Sequence, residues 1–470
     1  TKRDLKRYAE HWPIPKNIRL FSYEMLGRTQ AEHELEVYAP DLIVADEAHR
    51  LKNRKGAACA RRVARYMDRH PDTRMVALSG TMMARSLLDF GHILRWCLKE
   101  RAPVPATETE LEEWAAALDE KMANGDELRR YEPGALLSLA TPEERAELSA
   151  RSAARRGFRR RLMSTPGVVV TQGGEQIGAS LYIRALTYDV DPTTDEHIAN
   201  LRETMMTPDG WDVTPVDVWR HAQELALGFH NVWDPRPPED WRRARRAWFA
   251  FVREILSRSH TYDSPDHVAQ AVDAGKLVSP ELQAWRAIRD TFVPNPVPIW
   301  HDYSALQVCA KWMAKPGIVW TEHVAFAHKL AELTGARYYG EEGYSADGQY
   351  IEDASGDDEA IIASIDANRD GKNLQGAFSR NLVTCPPSLA LVWQQLIGRT
   401  HRTGQLADTV EVDVFLGCLE HANAWRNALA NADVVRETMG TESKLATADV
   451  TWPTDEEVRR FSGGRWGRPS

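Results

Sequence analysis

Leu42-Ile43-Val44-Ala45-Asp46-Glu47-Ala48-His49 is the stretch from which the fold is read. Four apolar residues in a row, with no alternation of polar ones, suit a short strand covered on both faces, as parallel strands are. Two acids and a histidine follow at once. A carboxylate at the carboxyl end of a buried strand can hold Mg²⁺ where it bridges phosphate oxygens, and a neighbour can orient and deprotonate a water. Adjacent acids also occur on any solvated loop, so these residues alone leave both readings open.

Outward from that stretch, strands and helices alternate. Residues 18–23 are strand-like, Gln30–Tyr38 is a polar helical stretch, 57–67 is a helix rich in Ala and Arg, and 75–78 is a second apolar strand. Strand, helix, strand at this spacing predicts a parallel sheet with ligands at its carboxyl end. Residues 100–165 read as helical, and 168–170 and 180–186 return to strand character. From about 195 to 300, Trp211, Trp219, Trp233, Trp241, Trp248 and Trp285 lie among helical stretches and Pro-rich turns. They suit a helical connector packed on its aromatics better than a stacking surface for bases. A second α/β pattern begins near 315, with strands at 317–320, 361–365, 381–384 and 410–416 and helices at 323–333 and 389–396. The expected fold is α/β: two parallel-sheet lobes, the first N-terminally incomplete, joined by a mostly helical region. The expected divisions are a first lobe over 1–185, a connector or insertion over 186–314, a second lobe over 315–430 and a fraying tail over 431–470.

With 470 residues, 43% of them hydrophobic and 27% charged, the chain has the composition of a globular protein too long for one ordinary domain. No apolar run is long enough for a membrane-spanning helix, and the charged opening has no apolar core behind it of the kind a secretory signal needs. The chain opens on Thr1 rather than Met, which fits a fragment or a processed chain. Five scattered cysteines without a Cys-x-x-Cys pair argue against a zinc knuckle or a disulfide framework and fit a reducing compartment. That gives an expected location in the cytoplasm (the host's, for a viral chain) or at the nucleoid. The net charge of -9 counts mildly against nucleic-acid binding, although a groove needs only local positive charge. Arg151, Arg155, Arg156, Arg159, Arg160 and Arg161 supply such a cluster, either as a phosphate contact or as a solvated helix face.

Three further constellations carry chemistry. Ser79-Gly80-Thr81 ends the second apolar strand and reads as a turn beside the acids. Gln394-Gln395-Leu396-Ile397-Gly398-Arg399-Thr400-His401-Arg402-Thr403-Gly404-Gln405 places two arginines three apart on one face of a helix or helix end. Such residues can cap a helix over a carboxylate, or fork onto phosphate oxygens with a permanent charge. Asp370-Gly371-Lys372-Asn373-Leu374-Gln375 follows the 361–365 strand, and Thr321 closes the 317–320 strand.

Asp46-Glu47-Ala48-His49-Arg50-Leu51-Lys52-Asn53 resembles the Walker B motif of helicase superfamily two, and its extension looks like the Swi/Snf-type DEAH-box branch. The segment Gln394–Gln405 is similar to the Gln-x-x-Gly-Arg-x-His-Arg-x-Gly-Gln motif of the same group, and residues 18–24 look like the strand that precedes its Walker B strand. The resemblance covers roughly 18–95 and 315–417 and implies two RecA-like lobes. It implies that Asp46 coordinates Mg²⁺ through water, that Glu47 is the catalytic base, and that His49, Ser79 and Thr81 couple the nucleotide site to the second lobe. Arg402, ahead of Arg399, becomes the candidate arginine finger, with Gln395 near the lobe interface. Gly371, Lys372 and Asn373 match the family's Gly-x-Gly-Leu-Asn-Leu stretch imperfectly, and the resemblance makes Gly371 and Gln395 candidate nucleotide-binding residues beside Asp46. Lys372 and Asn373 are candidate backbone contacts, and Thr321 another.

The implied activity is hydrolysis of ATP with Mg²⁺ between the lobes, coupled to movement on DNA, chiefly duplex, with RNA as another track. A Gly-x-x-x-x-Gly-Lys-[Ser/Thr] loop for the phosphates does not occur. Gly275-Lys276 runs into Leu277 and Gly371-Lys372 into Asn373. Three expectations follow: a partial chain whose loop lies upstream, one half of a split motor completed by a Walker A-bearing partner, or a non-catalytic nucleic-acid-binding or scaffold relative.

Overall fold

The computed structural model describes residues 9–11, 13, 17–52, 54, 57–119, 132–170, 177–211, 213–258, 262, 264–356 and 359–461. Asn53, the chain opening and the tail beyond 461 lie outside them. The chain divides into two compact units. The first is Thr1–Ala117, Thr165–Gly167 and Pro238–Val293; the second is Leu118–Ser164, Val168–Pro237 and Pro294–Ser470.

In the first unit, β1 (Leu42–Ala45) and β2 (Arg74–Ala77) form the expected parallel pair, in register Leu42 to Arg74 through Ala45 to Ala77. One face packs on Val63, Ala64, Tyr66 and Met67 of the helix Ala58–Arg69 and on Ile93 and Trp96 of the helix Gly91–Leu98. The other presents Leu42, Val44, Val76 and Leu78, between 44% and 57% exposed. Parallel sheets bury both faces, so an open apolar face on this pair is unusual. The strand expected at 18–23 is absent. Ser22 Oγ accepts a hydrogen bond from Met25 N at 3.0 Å and starts the short helix Tyr23–Leu26 instead.

The helices Glu239–Arg258, Pro265–Asp273 and Pro280–Ile288 also belong to the first unit. They close on Trp248, Val252, Val268 and Leu282. Trp241 and Trp248 are buried, as the aromatic-core reading expects. The expected single connector over 186–314 is therefore divided. Its ends, the helices Pro192–Thr204 and Pro215–Ala226 and an antiparallel pair of β4 (Phe229–Trp233) with β5 (Pro296–Trp300), lie in the second unit.

The second unit is built on seven parallel strands: β3 (Ser180–Thr187), β6 (Gly317–Thr321), β7 (Tyr338–Tyr339), β8 (Ala360–Ser364), β9 (Arg380–Val383), β10 (Thr409–Leu416) and β11 (Asp449–Thr451). Their order across the sheet is β11-β3-β10-β9-β6-β8-β7. With the parallel β1–β2 pair, this is the expected α/β class and is consistent with RecA-like lobes. Two boundaries move. β3, expected in the first lobe, pairs with β10 along its whole length, and β11, expected in the tail, extends the same sheet. Alternation along a strand specifies which face is buried, not which strand lies beside it. Residues 168–170 are not a strand, and Val169 is 90% exposed.

The arginine cluster lies on the helix Ala150–Met163, and two of its members are tied into the structure. Buried Arg155 donates to Leu118 O at 2.6 Å and pairs with Glu437 at 3.0 Å, and Arg160 pairs with Glu144 at 2.8 Å. A phosphate-contact role therefore does not hold for those two.

At the centre of the sheet Asn381, fully buried on β9, satisfies both ends of its amide. Its Oδ1 accepts from Trp320 Nε1 on β6 at 3.0 Å, and its Nδ2 donates to Thr400 Oγ1 at 3.0 Å and to Glu411 O on β10 at 3.2 Å. Asn381→Leu leaves a buried indole N–H and a backbone carbonyl unsatisfied. It should lower the unfolding free energy of the second unit by about 2–4 kcal/mol in urea denaturation. A loss below about 0.5 kcal/mol would refute this role.

Candidate functional site

At the carboxyl end of β1 the chain turns sharply, because Glu47 adopts a left-handed conformation (φ 49°) before the turn Ala48–Leu51. This backbone is costly for a residue with a Cβ. The ladder continues past both strands, with Leu78 N donating to Ala45 O at 2.8 Å and Ala48 N to Leu78 O at 2.9 Å. Two motifs thirty residues apart are thereby brought into contact. Buried His49 has Nδ1 3.1 Å from Ser79 Oγ and 3.2 Å from Glu47 Oε2, and Ser79 Oγ accepts from Thr81 N at 3.2 Å. Glu47, His49, Ser79 and Thr81 form one connected set.

Asp46 stands beside them and accepts from Glu47 N through Oδ1 at 3.1 Å. Among the described residues no group of three or more His, Cys, Asp or Glu is arranged to hold a metal. A lone strand-end carboxylate suits Mg²⁺ bound mostly by water and phosphate oxygens, which is that ion's habit. Tyr23, a residue the sequence reading did not single out, donates to Asp46 O at 2.6 Å. Burial, followed by the nearby charges of Asp46, Cys59 and Glu47, pushes its phenol pKa well up. His92 braces the far end of the turn, with Nε2 3.0 Å from Leu51 O, and burial pushes its pKa down to about 4.

In the second unit, the segment Gln394–Gln405 ends the helix Ala390–Ile397. Arg399 donates from Nε to Gln395 O and from Nη1 to Lys372 O, both at 2.9 Å. Leu374 N returns a bond to Arg399 O at 3.1 Å. Arg399 thus staples the loop around Gly371, whose φ of +66° favours glycine. Arg402 points outward, with Nη1 donating to Asn373 Oδ1 at 2.9 Å, and Asn373 N donates to Glu352 Oε1 at 2.6 Å. The expected residues Gly371, Lys372, Asn373, Gln395, Arg399 and Arg402 are therefore neighbours. Gln395 itself is buried.

Two expectations fail on burial. The Lys372 ammonium is turned inward, 2.7 Å from Tyr350 Oη and 3.1 Å from Glu342 O, and lies over the Tyr350 ring, so it is not presented to a phosphate. Thr321 is 1% exposed and its hydroxyl accepts from His323 N, so it does not face nucleic acid. Sequence reasoning also missed Lys444, whose Nζ donates to His401 O at 2.8 Å, and the bond from His401 Nε2 to Ala179 O at 2.9 Å. A lysine beyond the expected second lobe gave no local signal.

No family model matches the chain, and no curated protein matches it. It is similar to a solved structure described as "Crystal structure of the C-terminal part of Fun30 ATPase domain", with 10% identity and a TM-score of 0.29 over 53% of this chain and 89% of that one. Likeness at that level carries no weight for function.

The two arginines should separate in stability. Arg399→Ala removes a charged donor from two carbonyls and should cost about 2 kcal/mol, whereas Arg402→Ala should change stability by less than about 0.5 kcal/mol. Equal effects in urea denaturation would contradict the geometry. The neutral burial of His92 predicts a pH dependence. Its folded pKa lies below the ordinary value of 6.5, so its contribution is present above about pH 6.5 and falls as pH drops towards 4. His92→Gln should remove up to about 1.4 kcal/mol per pH unit of that slope from the first unit's unfolding transition. An unchanged slope between pH 6.5 and 4.5 would count against it.

Proposed function

We propose that this chain acts as an ATP-dependent DNA translocase or helicase, with Asp46 and Glu47 as its catalytic acids and Arg402 as its arginine finger. The observation that carries the reading is the contact of His49 with both Glu47 and Ser79 at the carboxyl ends of two parallel strands. That is where α/β proteins hold ligands. Glu47 is the base that takes the proton from the attacking water, and buried His49 holds that carboxylate in place. Asp46 would hold Mg²⁺, which would supply charge neutralisation of the phosphate oxygens. Arg402, outward and tied only lightly to Asn373, neutralises charge as the terminal phosphate leaves, while Arg399 and Gln395 position its loop. The nucleic acid is proposed to be duplex DNA read through its phosphates, with RNA as another track.

On this reading the loop that grips the phosphates comes from α/β structure additional to these residues. The open apolar face of Leu42, Val44, Val76 and Leu78 supports this, because it is the kind of surface that a covering helix buries. The absence of a Gly-Lys-Thr loop from these residues also favours a second reading, a nucleic-acid-binding or scaffold subunit without turnover. The two separate on one measurement. With a loop-bearing segment supplied, duplex DNA should stimulate ATP turnover, and Glu47→Gln and Arg402→Ala should each reduce it about 100-fold or more. Turnover that ignores both substitutions would sink the motor reading.

A further inference from the structure

The helix Glu239–Arg258 carries six arginines against three acids in a chain whose net charge is -9. Its buried side is Trp241, Trp248 and Val252. At 3.6 residues per turn, Arg242, Arg243, Arg246 and Arg253 fall within an arc of about 100° on the opposite side. All three acids are engaged on the helix itself. Glu239 pairs with Arg242 at 3.1 Å, Glu254 pairs with Arg258 at 2.7 Å, and Asp240 accepts from Trp241 N at 2.9 Å. Arg243 and Arg246 are exposed and have no ion pair among the described residues, and exposed Arg253 donates only to Phe249 O.

This face is rigidly mounted. The helix packs on Val268 and Leu282, and Arg61 of the helix Ala58–Arg69 donates to Leu256 O at 3.0 Å and to Tyr262 O. Arg243 and Arg253 are ten residues apart, about 15 Å along the axis, which matches roughly four nucleotides of one strand. Guanidinium groups fork onto phosphate oxygens and keep their charge, whereas an acidic protein partner would be met equally well by lysine, which the helix lacks.

We propose that Arg243, Arg246 and Arg253 form a nucleic-acid contact outside the hydrolytic residues, binding the phosphate backbone without reading sequence. It shares its partner with the motor reading but needs no nucleotide. The test is anisotropy of a labelled DNA duplex of about 20 base pairs against the full chain, without ATP, across a salt series. Arg243→Gln, Arg246→Gln and Arg253→Gln together should lower the slope of log affinity against log salt by about 2–3, since each neutralised phosphate contributes about 0.9. The three Arg→Lys changes should keep the slope, as should Arg286→Gln, whose guanidinium is paired with Asp273 in the same group of helices. Duplex RNA should show the same loss, because the phosphates are common to both. An unchanged slope in the triple Gln variant, an equal loss in Arg286→Gln, or no salt-sensitive binding by the unaltered chain overturns the proposal. Glu47→Gln should leave the slope intact. Turnover that ignores Glu47→Gln while the arginine effect stands overturns the motor alone.

Discussion

Asn381 is the interaction on which the second unit's organisation depends. A buried amide in mid-sheet is tolerable only when its donors and acceptor are all met, and here they are met by Trp320, Thr400 and Glu411. Those partners lie on β6, in the arginine-bearing segment and on β10, so one side chain ties three neighbouring strands to the loop that carries Arg399 and Arg402. The loop is further held by His401 against Ala179 and by Lys444 against His401. Arg402 projects from a segment that has little freedom to move relative to the sheet.

The first unit meets the same need by backbone means. The ladder runs on through Leu78 and Ala48, and the left-handed turn at Glu47 keeps both acids at the strand end. His49 is buried, and its Nδ1 lies within reach of both the Glu47 carboxylate and the Ser79 hydroxyl. A mobile acid would lose much of its value as a base, because proton transfer depends on position before it depends on pKa. The open face of β1 and β2 shows the other side of this economy: a strand pair well tied at its functional end carries apolar surface that nothing among the described residues covers.

How much could be read in advance differs from residue to residue. Leu42–Ala45 and the segment Gln394–Gln405 were legible because apolar runs and dense motifs are local signals. The 18–23 stretch misled because its apolar residues fit a strand while Ser22 caps a helix, a choice made by one hydroxyl. Lys372 stands in a motif and Thr321 at a strand end, positions that suggest contact with a ligand, yet burial turns both inward. The arginines of the helix Ala150–Met163 looked like the basic patch because they are dense in sequence. Their carboxylate partners, Glu144 and Glu437, are distant in the chain, whereas Arg243 and Arg246 of the helix Glu239–Arg258 have no ion pair among the described residues.

From sequence alone came the α/β class, the acids after an apolar strand, the paired arginines and the aromatic packing of Trp241 and Trp248, since each is a property of adjacent residues. Tertiary structure alone decided that β3 and β11 join the second sheet, that the 238–293 helices belong with the first unit, and that His49 meets Ser79. The reason is physical. Hydrophobic periodicity states that a surface is buried, but which strand, helix or carboxylate buries it is settled by packing between segments far apart in the chain.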